Sequence, residues 1–261
     1  MANRYFVNGL SNNNWGNTAN WSLTSNGTTG VSVPSASDDV FFDSFSPNCI
    51  IDTSSRVCKS LNFTGYTRTI TFSQQLTVSG DITLSPNMTI LGSSNLIINA
   101  NSTITTNGKM IGCPLSTSGQ ITLTLNDLLS VGTFSFTPGS ILTFTGSYGW
   151  SASNLNIQTA GSTHSLRSGV TYSISSYFSS LYTDNSQKDL IKSDSTSQHS
   201  ILILSPSATQ KIAFTNFNWI DSNLGQTIYV FNGTASNCVN ILNLTSQKML
   251  LSSYTGTYIA I

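Results

Sequence analysis

Charged side chains are scarce in this chain, and glutamate is absent altogether. Only 8% of its 261 residues are charged, and ten acidic residues, all of them Asp, balance ten Lys and Arg residues to a net charge of zero. The lack of a basic surface argues against a nucleic-acid-binding protein. Because Lys and Glu favour helices while Thr, Ser and Asn favour strands and turns, the composition predicts an all-β chain. Zero net charge removes long-range repulsion, which favours association with neighbouring chains.

Long apolar runs and metal-binding cysteine spacings are missing too. No apolar run is long enough to span a bilayer, so we expect no membrane insertion. The start, MANRYFVNGL, has no long apolar core and no signal cleavage pattern, so we expect no Sec-type export. Cys49, Cys58, Cys113 and Cys238 lack zinc-site spacing. We interpret them as small buried apolar residues, with a Cys49–Cys58 disulfide as the alternative if the two flank a hairpin.

Short β-type segments fill the chain from Val57 onward. Most alternate an apolar residue with Thr or Ser, and Gly, Asn, Ser or Pro separate them. Between Leu61 and Ile111 the apolar segments recur roughly every six to eight residues, which is short for hairpins and suits the coils of a solenoid. We predict an irregular right-handed parallel β-helix, with a jelly roll or β-sandwich as the second choice. The predicted inward residues are Leu61, Phe63, Ile70, Phe72, Leu76, Val78, Ile82, Leu84, Ile90, Leu96, Ile98 and Ile104.

One continuous domain with two parts is predicted. Residues 1–56 form an N-terminal cap, because a solenoid exposes apolar ladders and unpaired backbone at its ends. Residues 57–261 form the β-helix and its closing coils. The uncharged tail after Lys248 is strand-like, and we expect it to add a strand to its own last coil or to a neighbouring subunit. The predicted plug residues of the cap are Trp15, Trp21, Phe41 and Phe42.

Six segments carry a family resemblance. Near the start, N-W-S precedes V-P-S-A-S-D-D-V-F-F-D and then V-C-K-S-L-N-F, at residues 20–22, 33–43 and 57–63. Toward the other end, the segments H-S-L-R-S-G, L-I-K-S-D and I-A-F-T-N-F begin at residues 164, 190 and 212. These stretches together cover about half of the chain. In them the chain resembles β-helical surface and virion proteins of bacteriophages and bacteria. The resemblance implies a structural protein and supports the fold more than any activity.

Three neighbouring aspartates, Asp38, Asp39 and Asp43, form the densest acidic group. A divalent cation site is one interpretation, because calcium needs several oxygen ligands at close range, but the spacing is not that of an EF-hand loop. In the structural interpretation, Val40 and Phe42 face one side, the alternating residues face the other, and Asp38 accepts backbone hydrogen bonds in a turn. We favour the structural interpretation and predict no metal and no cofactor.

Candidate catalytic groups are scattered. A sugar-cleaving enzyme usually needs two carboxylates at a set separation, and no such pair is evident. His164 and His199 could stack on adjacent coils, yet no nucleophile motif accompanies them. We therefore predict a protein that is not an enzyme and has no catalytic residues. The mid-chain acids considered are Asp81, Asp127, Asp184, Asp189, Asp194 and Asp221.

Aromatic side chains could provide a platform on which sugars stack, but aromatic residues also fill solenoid cores and subunit contacts. We favour packing, and keep carbohydrate binding as the alternative. The residues concerned are Tyr148, Trp150, Tyr172, Tyr177, Phe178 and Tyr182.

The function expected from these observations is structural. We expect a bacteriophage virion protein (a spike, fibre or decoration component) that is assembled in the host cytoplasm and displayed on the virion surface. We expect it to associate with copies of itself as a trimer and with other virion or capsid proteins. If it acts in host attachment, a host surface glycan is a further expected partner. Nucleic acid is not an expected partner. A bacterial cell-surface adhesin and a polysaccharide-binding or polysaccharide-degrading β-helix enzyme are the alternatives.

Overall fold

Alternation of apolar and hydroxyl side chains produces a long series of short strands. The computed structural model describes the side chains of residues 2–7, 12–135 and 142–153, and the backbone of residues 2–7, 12–136, 141–157 and the strands given below as far as residue 251. Strand content is high because Thr, Ile, Leu and Val suit a pleated, half-buried surface, while Asn, Gly and Ser occupy the bends between strands.

Each coil, meaning one circuit of the chain around the solenoid, contains two or three strands. The N-terminal part contains β1 (Asn3–Phe6), a 3-10 helix (Thr18–Asn20) and β2 (Trp21–Ser22). Three three-stranded coils follow: β3 (Asp39–Phe41), β4 (Cys49–Ile51), β5 (Arg56–Cys58), β6 (Ser60–Asn62), β7 (Thr69–Phe72), β8 (Leu76–Val78), β9 (Ile82–Thr83), β10 (Thr89–Gly92) and β11 (Leu96–Ile98). The next strands come two to a coil: β12 (Ser102–Thr105), β13 (Leu115–Thr117), β14 (Gln120–Leu125), β15 (Leu129–Phe136), β16 (Ile141–Gly146), β17 (Trp150–Ile157), β18 (Thr163–Leu166), β19 (Thr171–Ser180), β20 (Leu190–Ser193) and β21 (Ser200–Leu204). The last strands are β22 (Ile212–Phe214), β23 (Thr227–Phe231), β24 (Cys238–Ile241) and β25 (Met249–Leu251).

Parallel sheets run along the length of the solenoid. Sheet A has the order β2-β1-β3-β6-β9-β12-β14-β16-β18-β20, sheet B the order β10-β7-β4, and sheet C the order β25-β23-β21-β19-β17-β15-β13-β11-β8-β5. Among the described strands, every pair is parallel except β1 with β2. A jelly roll consists of antiparallel strands, so this topology rules it out and confirms the predicted parallel β-helix. The right-handed sense of winding stays a prediction.

Register between coils is regular even though the sequence shows no strict repeat. In one inward ladder of sheet A, Val40 pairs with Leu61, Leu61 with Ile82, Ile82 with Ile104, and Ile104 with Leu125. The steps of this ladder are nearly equal, so each coil of this part of the solenoid takes almost the same length of chain. Farther along, the coil lengthens, since Ile174 pairs with Leu204.

The interior between the sheets is a continuous apolar column. All twelve side chains predicted to face inward are buried, and the most exposed of them, Ile90, has 7% of its surface accessible. This result confirms the predicted ladder. Each fully buried aliphatic or aromatic side chain contributes about 1.5–3 kcal/mol, so the column supplies most of the driving force for folding.

Aromatic side chains from the N-terminal part pack over the first coil. The rings of Trp15 and Trp21 lie 4.8 Å apart, and the ring of Phe6 lies 5.2 Å from both Trp21 and Phe42. Phe42 in turn stacks on Phe63 of the next coil at 4.8 Å. Trp15, Trp21 and Phe42 are all buried, as predicted. That these residues act as a cap stays a prediction.

The prediction that Phe41 belongs to this plug is wrong. Strand alternation places its neighbours Val40 and Phe42 in the core, so Phe41 lies on the outer face and is only half buried. Its ring stacks instead on Tyr5 of β1, with ring centres 4.9 Å apart and planes 18° from parallel. In-register pairing of coils also begins at Asp39, inside the range 1–56 predicted as a cap.

Polar side chains in the bends bind the backbone of the neighbouring coil. The side-chain oxygens of Asn48 and Asn101 accept hydrogen bonds from the backbone N–H groups of Thr69 and Thr122, each 21 residues farther along the chain. Asp127 accepts from the backbone N–H of the residue 21 positions before it, at 2.7 Å. These bonds satisfy backbone donors at the start of β7, within β14 and just past the end of β12.

The described part of the tail behaves as expected from the sequence. Met249–Leu251 forms β25, which pairs in parallel with β23 of the same chain. The tail therefore adds a strand to its own sheet at these residues, and the remainder, residues 252–261, lies outside the described residues.

Close stacking of coils predicts a specific sensitivity at Gly92. A Cβ atom there would lie 2.3 Å from the carbonyl oxygen of Phe72 in the preceding coil, and the φ of Gly92 is +113°. Gly108 also has a positive φ, +76°, but a Cβ there would meet no atom within 4 Å. We expect Gly92→Ala to lower the free energy of unfolding by about 2 kcal/mol more than Gly108→Ala, measured by urea denaturation, because only the first must push two coils apart. Equal losses in the two variants would contradict the close stacking.

Candidate functional site

A groove with a volume of about 520 Å³ crosses the outer face of sheet A at β3, β6 and β9. Register places its residues in three columns that run along the solenoid axis, with successive members one coil apart. The columns consist of Asp39, Ser60 and Asp81; of Phe41, Asn62 and Thr83; and of Lys59 and Gly80, with Asn101 of the next coil beyond them. Because neighbouring strands of a sheet are about 4.8 Å apart, each column presents one group per step of that length.

An ion pair occupies the end of the groove nearest the N-terminal part. The Lys59 Nζ atom lies 3.1 and 3.2 Å from the two carboxylate oxygens of Asp39, and the Ser60 hydroxyl donates to the same carboxylate at 2.6 Å. The side chains are 39% and 21% exposed for Lys59 and Asp39 respectively. At this exposure the pair adds little to stability, about 0–1 kcal/mol, and it remains accessible to a ligand.

Three further polar side chains of the groove are held in place by backbone groups. Asn62 Oδ1 accepts a hydrogen bond from the Thr64 N–H at 2.8 Å, and Asp81 Oδ1 accepts one from the Thr103 N–H at 2.7 Å. Asn101 is held in the same way by its bond to the next coil. In each of these side chains the hydrogen bond fixes the position of Oδ1. The orientation of the other polar group, the amide NH2 of the two Asn residues or Oδ2 of Asp81, is fixed with it.

The three clustered aspartates do not converge on one point. Asp39 faces the groove, whereas Asp38 lies in the turn before β3 and accepts hydrogen bonds from the backbone N–H groups of Ala2 and Ser35, both at 3.0 Å. The predicted turn role of Asp38 is thus confirmed. Asp43 lies past the end of β3, where it accepts from the Ser25 hydroxyl at 2.6 Å.

Metal-ligand clusters are absent from the described part of the chain, where no three His, Cys or Asp side chains lie together. Each of Asp38, Asp39 and Asp43 accepts hydrogen bonds from its own set of donors.

Other sequence candidates are dispersed. Asp127 binds the backbone of Thr106 and Asn107 and the Thr106 hydroxyl, which is a structural role. His164 lies in β18 opposite Leu142 and Ile191, so its partner in the next coil is not His199. The candidates outside the described residues are Asp184, Asp189, Asp194, His199 and Asp221.

The aromatic residues considered as a sugar platform do not share one surface where they are described. Trp150 is 3% exposed and packs against Phe134, with ring centres 5.8 Å apart, whereas Tyr148 is 48% exposed. Tyr172, Tyr177 and Phe178 belong to β19, whose side chains lie outside the description, as does Tyr182. The accessible aromatic ring at the groove is that of Phe41, which the sequence places in the plug.

The described cysteines are buried free thiols, as predicted. Cys49 and Cys58 lie in β4 and β5 of one coil and do not form the alternative disulfide, and Cys113 is also free. Burial raises the pKa of Cys49 and of Cys58, assisted by a nearby aspartate in each case, and burial raises the pKa of Cys113 to about 12. Thiols held in the protonated form are poor nucleophiles, which argues against a catalytic role for these three.

The groove residues that sequence analysis missed have a recognisable signal. Lys59, Ser60, Asn62 and Thr83 look like ordinary strand and turn residues when taken one at a time. Each of them lies 21 residues from another member of its column, as Ser60 does from Asp39. Asn48 and Thr69 are separated by the same number of residues. A search for that spacing would have found them.

The fold defines a class, the parallel β-solenoid proteins. No protein-family model, curated protein or solved structure matches this chain. Within the described residues, no helix is both long enough and apolar enough to cross a membrane.

Acid sensitivity is expected at Asp38. Burial by itself raises the pKa of this carboxyl, but hydrogen bonds from Ser35 and Ala2 and the positive charge of Arg4, 3.8 Å away, outweigh burial and lower the pKa below its ordinary value of 3.8. A lowered pKa in the folded state means that the stabilising contribution is complete above pH 3.8 and is lost as the pH falls through the lower, folded-state value.

We therefore expect Asp38→Asn to be less stable than the parent protein at pH 7, and the difference to shrink below pH 3.8. Urea denaturation of both proteins from pH 2 to pH 7 measures this. A stability difference that does not change over this range would show that the charge of Asp38 plays no part.

Proposed function

We propose that this protein is a structural component of a bacteriophage virion surface, such as a spike, fibre or decoration protein, which assembles in the host cytoplasm. The observation that carries the proposal is the continuous stacking of coils along sheets A and C, each ten strands long, with a register shift between β17 and β19. Such stacking makes a stiff, elongated element whose bends are tied to one another by side chains. The resemblance of residues 20–63 to β-helical surface proteins supports the same role, and it also keeps a bacterial cell-surface adhesin as the alternative.

Exposed apolar side chains support association with further copies of the chain. Leu91, Met110, Leu128 and Tyr148 are about half exposed. They lie on four successive coils, each between the sheet A strand and the sheet C strand of its coil but not in one register column, and we call them the apolar stripe. A stripe of large apolar groups on a protein of zero net charge has no electrostatic barrier to self-association. A trimer that buries this stripe is the assembly we propose.

Labelling of native particles tests the surface role. We expect gold-labelled antibodies against this protein to decorate intact phage particles from the source material in electron micrographs, at repeated positions on the particle. Host cells without particles provide the control, since an adhesin would label the cell envelope there. Label on the envelope alone would favour the adhesin and contradict the virion proposal.

Mutation of the apolar stripe tests the proposed trimer. We expect light scattering to give three times the single-chain mass for the parent protein, and the single-chain mass for Met110→Asp combined with Leu128→Asp, because two carboxylates per copy would be buried without partners. Leu23→Asp is the matched control, since Leu23 is 54% exposed but lies outside the stripe. A parent protein of single-chain mass at high concentration, or a stripe variant that remains trimeric, would contradict the proposal.

A further inference from the structure

The groove on sheet A presents one side-chain group per coil in each of its columns. Its central column presents a carboxylate, a hydroxyl and a second carboxylate on three successive coils, and the next column presents an aromatic ring, an amide and a hydroxyl. Gly80, in the third column, has no side chain to project between Lys59 and Asn101. A Cβ there would lie 2.8 Å from the carbonyl oxygen of Lys59, so the two coils approach each other closely at this point.

Several polar groups in the groove are oriented but have capacity for another hydrogen bond. Within the described part of the chain, the amide NH2 groups of Asn62 and Asn101, Oδ2 of Asp81 and the hydroxyl of Thr83 have no hydrogen-bond partner. In Asn62, Asn101 and Asp81, the Oδ1 atom of the same side chain already accepts a hydrogen bond from a backbone N–H. Binding to such fixed groups costs little conformational entropy, because the side chains are ordered before the ligand arrives.

Phe41 adds an apolar surface to this polar array. Tyr5 of β1 stacks on Phe41 from one side, and β6 with the groove lies on the other, because β3 is between β1 and β6 in sheet A. The ring is thus supported from behind by a second ring. A ligand with one apolar face and several hydroxyl groups can place that face on Phe41 while its hydroxyl groups reach Asn62 and Thr83.

Charge decides which ligand of this kind is favoured. Lys59 neutralises Asp39, and Asp81 leaves the groove with one negative charge at neutral pH. Acidic sugars and phosphorylated ligands would meet that charge, and among the residues that line the groove no second cation compensates it. Neutral sugar hydroxyl groups, which both donate and accept hydrogen bonds, match the mixture of amide donors, hydroxyl groups and carboxylate acceptor.

We propose that the groove crossing β3, β6 and β9 binds a neutral oligosaccharide, with its sugar rings arranged along the solenoid axis. This inference deepens the proposed surface role and takes its biological setting from it. Phe41 supports the apolar face of one sugar ring, Asn62, Thr83 and Asn101 bind hydroxyl groups, and Asp81 accepts from another hydroxyl group. The Asp39–Lys59 pair closes the end of the groove.

Binding of defined glycans to the isolated full chain tests this site. The probes are immobilised neutral oligosaccharides of hexoses and N-acetylhexosamines, and immobilised oligosaccharides of uronic acids of the same length. We expect retention on one or more neutral probes and none on the acidic ones. Absence of binding to every probe would overturn the proposal, and binding to acidic probes alone would overturn the proposed ligand class.

Variants locate the binding on the protein. For a neutral probe that is retained, we expect Asn62→Ala combined with Thr83→Ala to weaken the affinity about tenfold, because two hydrogen bonds are lost. Phe41→Leu is expected to weaken it by a similar factor through the loss of ring stacking. Thr71→Ala is the matched control, since Thr71 lies in β7 on the outer face of sheet B. Circular dichroism and thermal unfolding show that each variant is folded.

Unchanged affinity in the folded groove variants would overturn the assignment of the site, even if a neutral glycan binds elsewhere on the chain. Failure of this experiment is distinguishable from failure of the virion proposal, because particle labelling does not depend on the groove. A protein absent from particles that still binds neutral glycans through Asn62 and Thr83 would support the groove and overturn the surface setting.

Discussion

Each coil of the solenoid has to place its inward side chains over those of the coil before it, at the strand spacing of about 4.8 Å. A displacement of one residue would reverse inside and outside for a whole strand, so the register is strongly specified wherever one face is buried. The ladder from Val40 to Leu125 satisfies this requirement with large apolar groups at every step. The coils are held close to one another at Gly92, where the chain passes next to the backbone of Phe72, and by side chains in the bends that bind the adjacent backbone.

The same spacing explains the low charge of the chain. Residues in one outward column are direct neighbours, so like charges on adjacent coils would repel at about 4.8 Å, well inside the screening length of about 8 Å at physiological ionic strength. In the column of the groove, Ser60 separates Asp39 from Asp81, and Lys59 lies beside the first of them. A chain built from such columns gains from Thr, Ser and Asn, which bond to their neighbours without this repulsion.

Inward residues could be predicted from the sequence because apolar alternation is a local property of each strand, and all twelve were found in the core. Phe41 shows the limit of this approach, because alternation should have excluded it from the plug, and its ring stacks on Tyr5 instead. Trp150 packs on Phe134, as the favoured interpretation of the aromatic residues predicts. The groove escaped prediction for a different reason, since its neighbours are a whole coil apart along the chain and no short motif connects them.

Separation of the two faces of each strand lets such a protein change its surface while its fold is conserved. Val40, Leu61 and Ile82 make the column that holds β3, β6 and β9 together, and the groove consists of the residues that alternate with them. Substitution of Asn62 or Thr83 would alter the groups offered to a ligand without opening a cavity in the core. A stiff solenoid with a replaceable outer face is suited to a surface component, because rigidity and recognition are assigned to opposite sides of the same short strands.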